Sequence, residues 1–298
     1  MSWPSWLPLR ETLRPMSPYG APQVPAVAAL NTNENPYSPS PALQKAITDA
    51  VAKVAVDLNR YPDRDATILR TKLATYINEG NGTSFTLDNI WAANGSNEII
   101  QSIFLAFAQG AVLGFTPSYS MHPLIAKTTG AQWIDGKRNA DFSLNASDAV
   151  SEIVKNKPSL TFITTPNNPT GGAVTLAEIQ KLADAAKEVG GLLVVDEAYA
   201  EFSQETSAVT LVANNPHVIV IRTMSKAFAF AGARLGYLVS DVAVKDAMMI
   251  VRLPYHLSAL TQAAAQVAID HRAELLGGVS TLIKARGEVV QALHDMGL

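Results

Sequence analysis

Between residues 90 and 240 the sequence repeats one alternation: a short strand-like run, a polar tail, then a segment with helical spacing. The runs are NIWAANG, AVLGF, AQWIDG, SLTFITTP, GLLVVDEAY, HVIVIRT and RLGYLVS. Most are too continuously apolar for one face to meet water, which fits strands covered on both sides. The segments near 96–108, 120–129, 146–156 and 175–189 have the spacing of covering helices. Two more precede them, PALQKAITDAVAKVAV from Pro41 to Val56 and a segment near 64–79, separated by the proline of LNRYPD. The pattern predicts an α/β fold, a mostly parallel sheet sandwiched by helices. In such sheets ligands bind beyond the carboxyl ends of the strands. The polar tails NGSNE, PNNPTG, DEAY and RTMSK are therefore the places to seek chemistry.

Composition narrows the chemistry. A net charge of −3 without a block of like charges gives no footprint for nucleic acid or an anionic membrane. Small-molecule partners are expected. The chain has no cysteine, so thiolate catalysis and cysteine zinc sites are excluded. The five histidines have no ligand-like spacing, and no metal is expected. No apolar run reaches membrane-spanning length, and MSWPSWLPLRETLRP breaks with prolines and charges where a signal peptide needs an apolar core. The expected location is cytoplasmic. No G-x-G-x-x-G follows the first strand and no Walker loop occurs, which disfavours a dinucleotide dehydrogenase or a P-loop enzyme.

Each tail has a plain reading and a chemical one. Lys226, in RTMSKAFAFAGARLG, either snorkels to water or has its pKa lowered so that its amine forms a Schiff base. Ser96 either caps a helix or, with Asn97 and the helix N–H groups, receives a phosphate. Asn168 lies in a sharp proline turn at a strand end, and Asp196 ends a buried-type strand three positions before Tyr199. A carboxylate there needs a cation or several donors. Thr223, Ser225 and Arg234 add hydroxyls and a bidentate cation, completing a phosphate cup beside the lysine. A phosphorylated carbonyl compound with a basic ring nitrogen, pyridoxal 5'-phosphate, meets all of these groups at once.

The set NGSNE, PNNPTGG, VVDEAYAEF and TMSKAFAFAGARLGY, in this order and at these intervals, resembles the class I and II aminotransferases of fold type I. Within that family, LNTNENPYSPSP, NRYPD, GFTPSYSMHP and RLPYHLSALTQAA resemble the histidinol-phosphate branch, from about Leu30 to Ala264. The resemblance implies a pyridoxal-phosphate enzyme of histidine biosynthesis, with roles assigned position by position. It makes Lys226 the Schiff-base lysine and proton carrier, and gives Asp196 the pyridine nitrogen. Tyr199 and Asn168 receive the phenolate oxygen, and Tyr119 stacks on the ring. Ser96, Asn97, Thr223, Ser225 and Arg234 receive the phosphate, together with Tyr61 sent across a homodimer interface.

The implied reaction exchanges an amino group between L-histidinol phosphate and 2-oxoglutarate. Two alternatives stand beside it: an aromatic amino acid aminotransferase of the same family, and a chain that binds the cofactor but turns over weakly. The second arises because the sequence ends at Leu298 inside a long helical pattern, where relatives continue into a small domain that supplies an arginine for the substrate anion. The expected organisation is an N-terminal arm over 1–33, a large cofactor-binding domain over 34–271, and a helix over 272–298 leading into that small domain, largely missing here. Arg252 is the expected substitute for the missing arginine, with Arg272 and Arg286 reading as helix-surface charges. FAQGAVLGF is shorter than the corresponding family turn, so a tight loop is expected before Phe115.

Overall fold

The computed structural model describes residues 3–23 and 30–298. Part of the expected arm, 1–2 and 24–29, lies outside the described residues. In chain order the regular elements are α1 Pro41–Ala55, α2 Thr67–Asn81, β1 Ile90–Ala93, α3 Ser96–Phe107, β2 Ala111–Thr116, α4 Met121–Thr129, β3 Gln132–Lys137 and α5 Ala146–Asn156. They continue with β4 Leu160–Thr164, α6 Leu176–Glu188, β5 Leu192–Asp196, α7 Val209–Val212, β6 Val218–Thr223, β7 Gly236–Val239, α8 Val242–Val251, α9 Ala259–Asp270 and α10 Arg272–Asp295.

Local chemistry explains the helix boundaries. Ser40 accepts the Leu43 N–H ahead of a proline at the first position of α1. Thr175 and Glu178 form a reciprocal capping box at the start of α6. Asn145 accepts two N–H groups to open α5. The turn at 108–110 between α3 and β2 is tight, as its sequence predicts; Gln109 N–H closes it on the Phe107 carbonyl at 2.9 Å.

The strands form one sheet in the order β1-β7-β6-β5-β4-β2-β3. Strands β3, β2, β4, β5 and β6 are mutually parallel, and β7 runs antiparallel to both β6 and β1. The reversal at β7 is not legible in RLGYLVS, since an apolar run carries no direction. Consecutive strand residues face opposite sides, and this splits the core in two. Val194, Phe162, Ile219 and Leu238 pack with α3, α4 and α8. Val195, Ile163, Val220 and Val239 pack with α2, α5, α6 and α9. Helices α8 and α9, which the sequence reading leaves unassigned, complete these two layers.

The register also fixes what meets at one end of the sheet. Thr164 stands beside Asp196, Asp196 beside Ile221, Thr223 beside Gly236, and Gly236 beside Ala93. The carboxyl ends of β1, β4, β5 and β6 therefore share one edge. Gly236 is required there: a Cβ would collide with the backbone N of Ser96, pushing the first turn of α3 off the sheet.

Candidate active site

Asp196 is the last residue of β5 and is 2% exposed. Continuing the strand alternation turns its carboxylate to the α3–α4 side. There Oδ2 lies 3.0 Å from His122 Nε2, and Oδ1 accepts the Ala198 N–H at 3.1 Å. His122, also 2% exposed, sits in the first turn of α4 with its ring edge-on to Tyr119 and tilted on Phe162. This buried histidine, in contact with a candidate site carboxylate, is a residue that sequence reasoning missed. The available signal was its spacing: it stands three residues after Tyr119, one helical turn away.

Tyr119 donates to Asn97 Oδ1 at 3.1 Å, tying the loop after β2 to the first turn of α3. Burial pushes its phenol up to about 12, helped by the charge of Asp196, so the ring remains neutral at physiological pH. The N-cap of α3 is Gly95, at φ 85°, with no side-chain cap. The leading N–H groups of α3 thus keep their anion-binding capacity. Arg234, itself left-handed at φ 59°, lies directly over Gly95: a Cβ on the glycine would stand 2.6 Å from Arg234 Nη2. The structure brings Ser96, Asn97 and Arg234 together.

Ser225 and Thr223 are buried on the adjoining turn. The Thr223 hydroxyl donates to the Leu235 carbonyl at 3.3 Å and accepts the Ser225 N–H at 3.1 Å. It therefore shapes the turn, and its only proton is already committed.

Lys226 is half-buried, with Nζ 5.8 Å from the Tyr199 ring centroid. Burial holds its pKa below the ordinary lysine range; the charge of Arg234 adds to the effect and that of Glu34 opposes it. Its Nζ donates to the Thr32 and Asn33 carbonyls at 3.0 and 3.2 Å. The arm thus crosses the site, a contact that a linear reading of LNTNENP does not disclose. Burial raises the Tyr199 phenol, which remains protonated and able to donate.

The two asparagines of the proline turn divide the work. Asn167 is buried and fixes the turn: it accepts from Ser118 and donates to Pro117 O and Thr170 Oγ1. Asn168 instead lines a cavity of about 430 Å³ together with Asn33, Tyr199 and Arg286.

The positions of the arginines correct one expectation and extend another. Arg252 does not substitute for a substrate-binding arginine, because its guanidinium is held by Asp65 at 2.8 Å and the Arg64 carbonyl at 2.7 Å. Arg286 is an exposed helix-surface residue of α10, as its sequence reading expects, and it also borders the site. It lines the cavity beside Tyr199 and Asn168 and has no ion pair or hydrogen bond among the described residues. Arg272, paired with Glu79, stays on the surface as expected.

A second cavity, about 410 Å³, lies beside Glu197, Glu201 and Arg222. Arg222 contacts both glutamates at 2.9 to 3.0 Å, and Ser207 donates to Glu197. Its charges are largely satisfied internally, which suits a structural network rather than a reacting centre. Tyr61 is remote from these groups in character: it is 79% exposed and stacks on Tyr255 with centroids 4.4 Å apart.

Comparison with known proteins shows the family. A histidinol-phosphate aminotransferase of Mycolicibacterium vanbaalenii is 52% identical over 98% of this chain and 79% of its own length. One from Mycobacterium marinum is 51% identical over 98% of this chain and 76% of its own. Among solved structures, the histidinol-phosphate aminotransferase of Sinorhizobium meliloti in complex with pyridoxal-5'-phosphate superposes with TM-score 0.78 at 24% identity, covering 90% of this chain and 70% of that one. An aspartate aminotransferase variant from Thermus thermophilus shares the fold with TM-score 0.83 at 22% identity, over 97% of this chain and 80% of that one. The family profile described as aminotransferase class I and II matches residues 25–298, and the chain belongs to that family.

Proposed function

We propose that this chain is a pyridoxal-phosphate-dependent aminotransferase acting on L-histidinol phosphate and 2-oxoglutarate, forming imidazole acetol phosphate and L-glutamate. The observation that carries the reading is the convergence of Lys226, Tyr199, Asp196 and the uncapped α3 N-terminus beside Arg234 at one sheet edge. The names of the relatives, at about half identity over nearly the whole chain, support the substrate assignment. A cytoplasmic location is part of the proposal; among the described residues no helix is long and apolar enough to cross a membrane.

The donor set fits the cofactor. Ser96, Asn97, Ser225 and Arg234 would hold the phosphate, with Thr223 supporting the turn that presents Ser225. Asp196 would keep a proton on the ring nitrogen, and His122 fixes that carboxylate by occupying one of its oxygens. Tyr199 and Asn168 would donate to the ring's phenolic oxygen, while Tyr119 would cover the ring. Pyridoxal phosphate, when bound, supplies an aldehyde that exchanges amines and a ring that accepts an electron pair. Lys226 Nζ, with its pKa lowered by burial, holds a larger neutral fraction than an exposed lysine, and so serves as nucleophile and then as proton carrier. The arm lies against Nζ through the Thr32 and Asn33 carbonyls, which hold the amine toward the site.

The substrate anion requires a fixed cation. Arg286 is the residue we assign, since it stands at the cavity wall with Asn168 and Tyr199. Losing one charge-assisted contact costs about 1.5–3 kcal/mol. Arg286→Ala should therefore lower kcat/KM for the phosphorylated substrate about 10- to 100-fold, with most of the effect in KM. Steady-state kinetics showing an unchanged KM would remove Arg286 from this role.

Tyr61 is assigned to the phosphate of a second copy, because its exposure and its pairing with Tyr255 suit an interface residue. Mixing Tyr61→Phe chains with Lys226→Ala chains should then create hybrid dimers with one fully equipped site of wild-type cofactor affinity. If every Lys226-bearing site in verified hybrids binds weakly, Tyr61 serves its own subunit.

Competing substrates test the assignment as a whole. The expected result is a kcat/KM for L-histidinol phosphate well above that for phenylalanine. The reverse order would make the chain an aromatic amino acid aminotransferase. A bound cofactor whose visible band fails to bleach with either donor would make it a binding protein only.

A further inference from the structure

A phenol has one proton to give and two lone pairs to receive with, so the partner that fills a lone pair influences where the proton points. Tyr199 has such a partner in the arm: Asn33 Nδ2 donates to its hydroxyl oxygen at 3.1 Å. The same residue accepts from Lys226 Nζ at 3.2 Å through its backbone carbonyl. Asn35 adds a bond to the Lys226 carbonyl at 3.3 Å, pinning the arm to the lysine loop. Asn33 is also left-handed, at φ 52°, a conformation that asparagine, aspartate and glycine tolerate and most residues avoid. One arm residue thus bridges the reactive amine and the phenol.

We propose that Asn33 is a positioning residue that fills an acceptor site of the Tyr199 hydroxyl and so directs the phenolic proton toward the cofactor's ring oxygen. The proposal rests on the reading of Tyr199 as a donor to that oxygen. The charged groups around Tyr199 are Lys226, at 5.8 Å from its ring, Asp196, and Arg286 and Glu205 on the wall of the cavity it shares with them. Glu34 acts one step further out, through its charge on Lys226. Among the described residues none of these charged groups hydrogen-bonds the hydroxyl, so the amide is the group that orients it.

The substitution that separates orientation from packing is Asn33→Asp. It keeps the shape and tolerates the left-handed backbone, but its carboxylate only accepts, so it draws the phenolic proton away from the ring oxygen. Asn33→Gly keeps the backbone and removes the donor without adding charge. The measurement is the pKa of the visible absorption band of the bound cofactor in the holoenzyme, which a donor to the ring oxygen lowers. Tyr199→Phe should raise it by about one unit. Asn33→Asp should raise it by a similar amount, and Asn33→Gly by less in the same direction. In the Tyr199→Phe background the effect of Asn33→Asp should fall to a third or less. An equal Asn33→Asp shift in both backgrounds would mean a bare charge effect, and an unmoved band in Asn33→Asp or Asn33→Gly would mean no positioning; either result overturns the proposal. An unmoved band in Tyr199→Phe overturns the underlying reading of Tyr199, and this proposal with it.

Discussion

Replacing Lys226 by alanine should abolish transamination, lowering kcat by about 10⁴-fold or more while leaving the cofactor bound without a covalent link. The size follows from the two tasks given to one amine. Nucleophilic capture and general acid–base transfer each contribute orders of magnitude, and among the described residues no lysine lines the neighbouring cavity to share them. Binding should survive because the uncapped start of α3, Arg234 and the Thr223–Ser225 turn hold the phosphate with groups other than the lysine amine. Removing the amine also removes the arm's two hydrogen bonds to Nζ. Single-turnover kinetics on the loaded variant, beside a cofactor-binding titration, separate the two effects. Activity within tenfold of wild type would show that Lys226 has neither task.

Asp196→Asn should lower kcat by about 10³-fold, the scale on which loss of a fixed charge at a reacting centre is felt. The amide keeps the shape of the carboxylate but no longer carries the charge that holds a proton on the ring nitrogen. His122 adds a second consequence. Its Nε2 meets Asp196 at 3.0 Å in a fully buried setting, so Asp196→Ala strands a ring nitrogen there. An unsatisfied buried polar group costs roughly 1–3 kcal/mol. Asp196→Ala should therefore unfold earlier in urea than Asp196→Asn, which can still exchange a hydrogen bond with the imidazole. Equal midpoints for the two variants would argue that the His122 contact contributes little. Near-normal kcat in Asp196→Asn would remove the carboxylate from the chemistry.

What the sequence discloses and what it hides follow from the range of the interactions. Buried parallel strands write themselves as apolar runs, and the groups that act at their ends follow immediately in the chain. Asp196, Thr223 and Ser96 were legible for that reason. The direction of β7 was not, because its pairing depends on how the chain returns from β6. Contacts between distant segments leave no local pattern. His122 meets Asp196 across 74 positions, and Asn33 meets Tyr199 across 166. Arg252 shows the opposite error. Its place before LPYHLSAL suggested a substrate contact, but Asp65, in a loop 187 positions earlier, had already claimed its guanidinium. Arg286 was hidden by its setting in an exposed helix, since nothing in KARGEVV tells which neighbours that helix passes.

The most direct test of the account is to reduce the wild-type, cofactor-loaded chain with borohydride, digest it, and locate the added cofactor mass by peptide mass spectrometry. The account predicts the mass on Lys226 alone, within the segment that follows β6. Mass on any other lysine, or a visible cofactor band with no mass fixed to the chain, would contradict it.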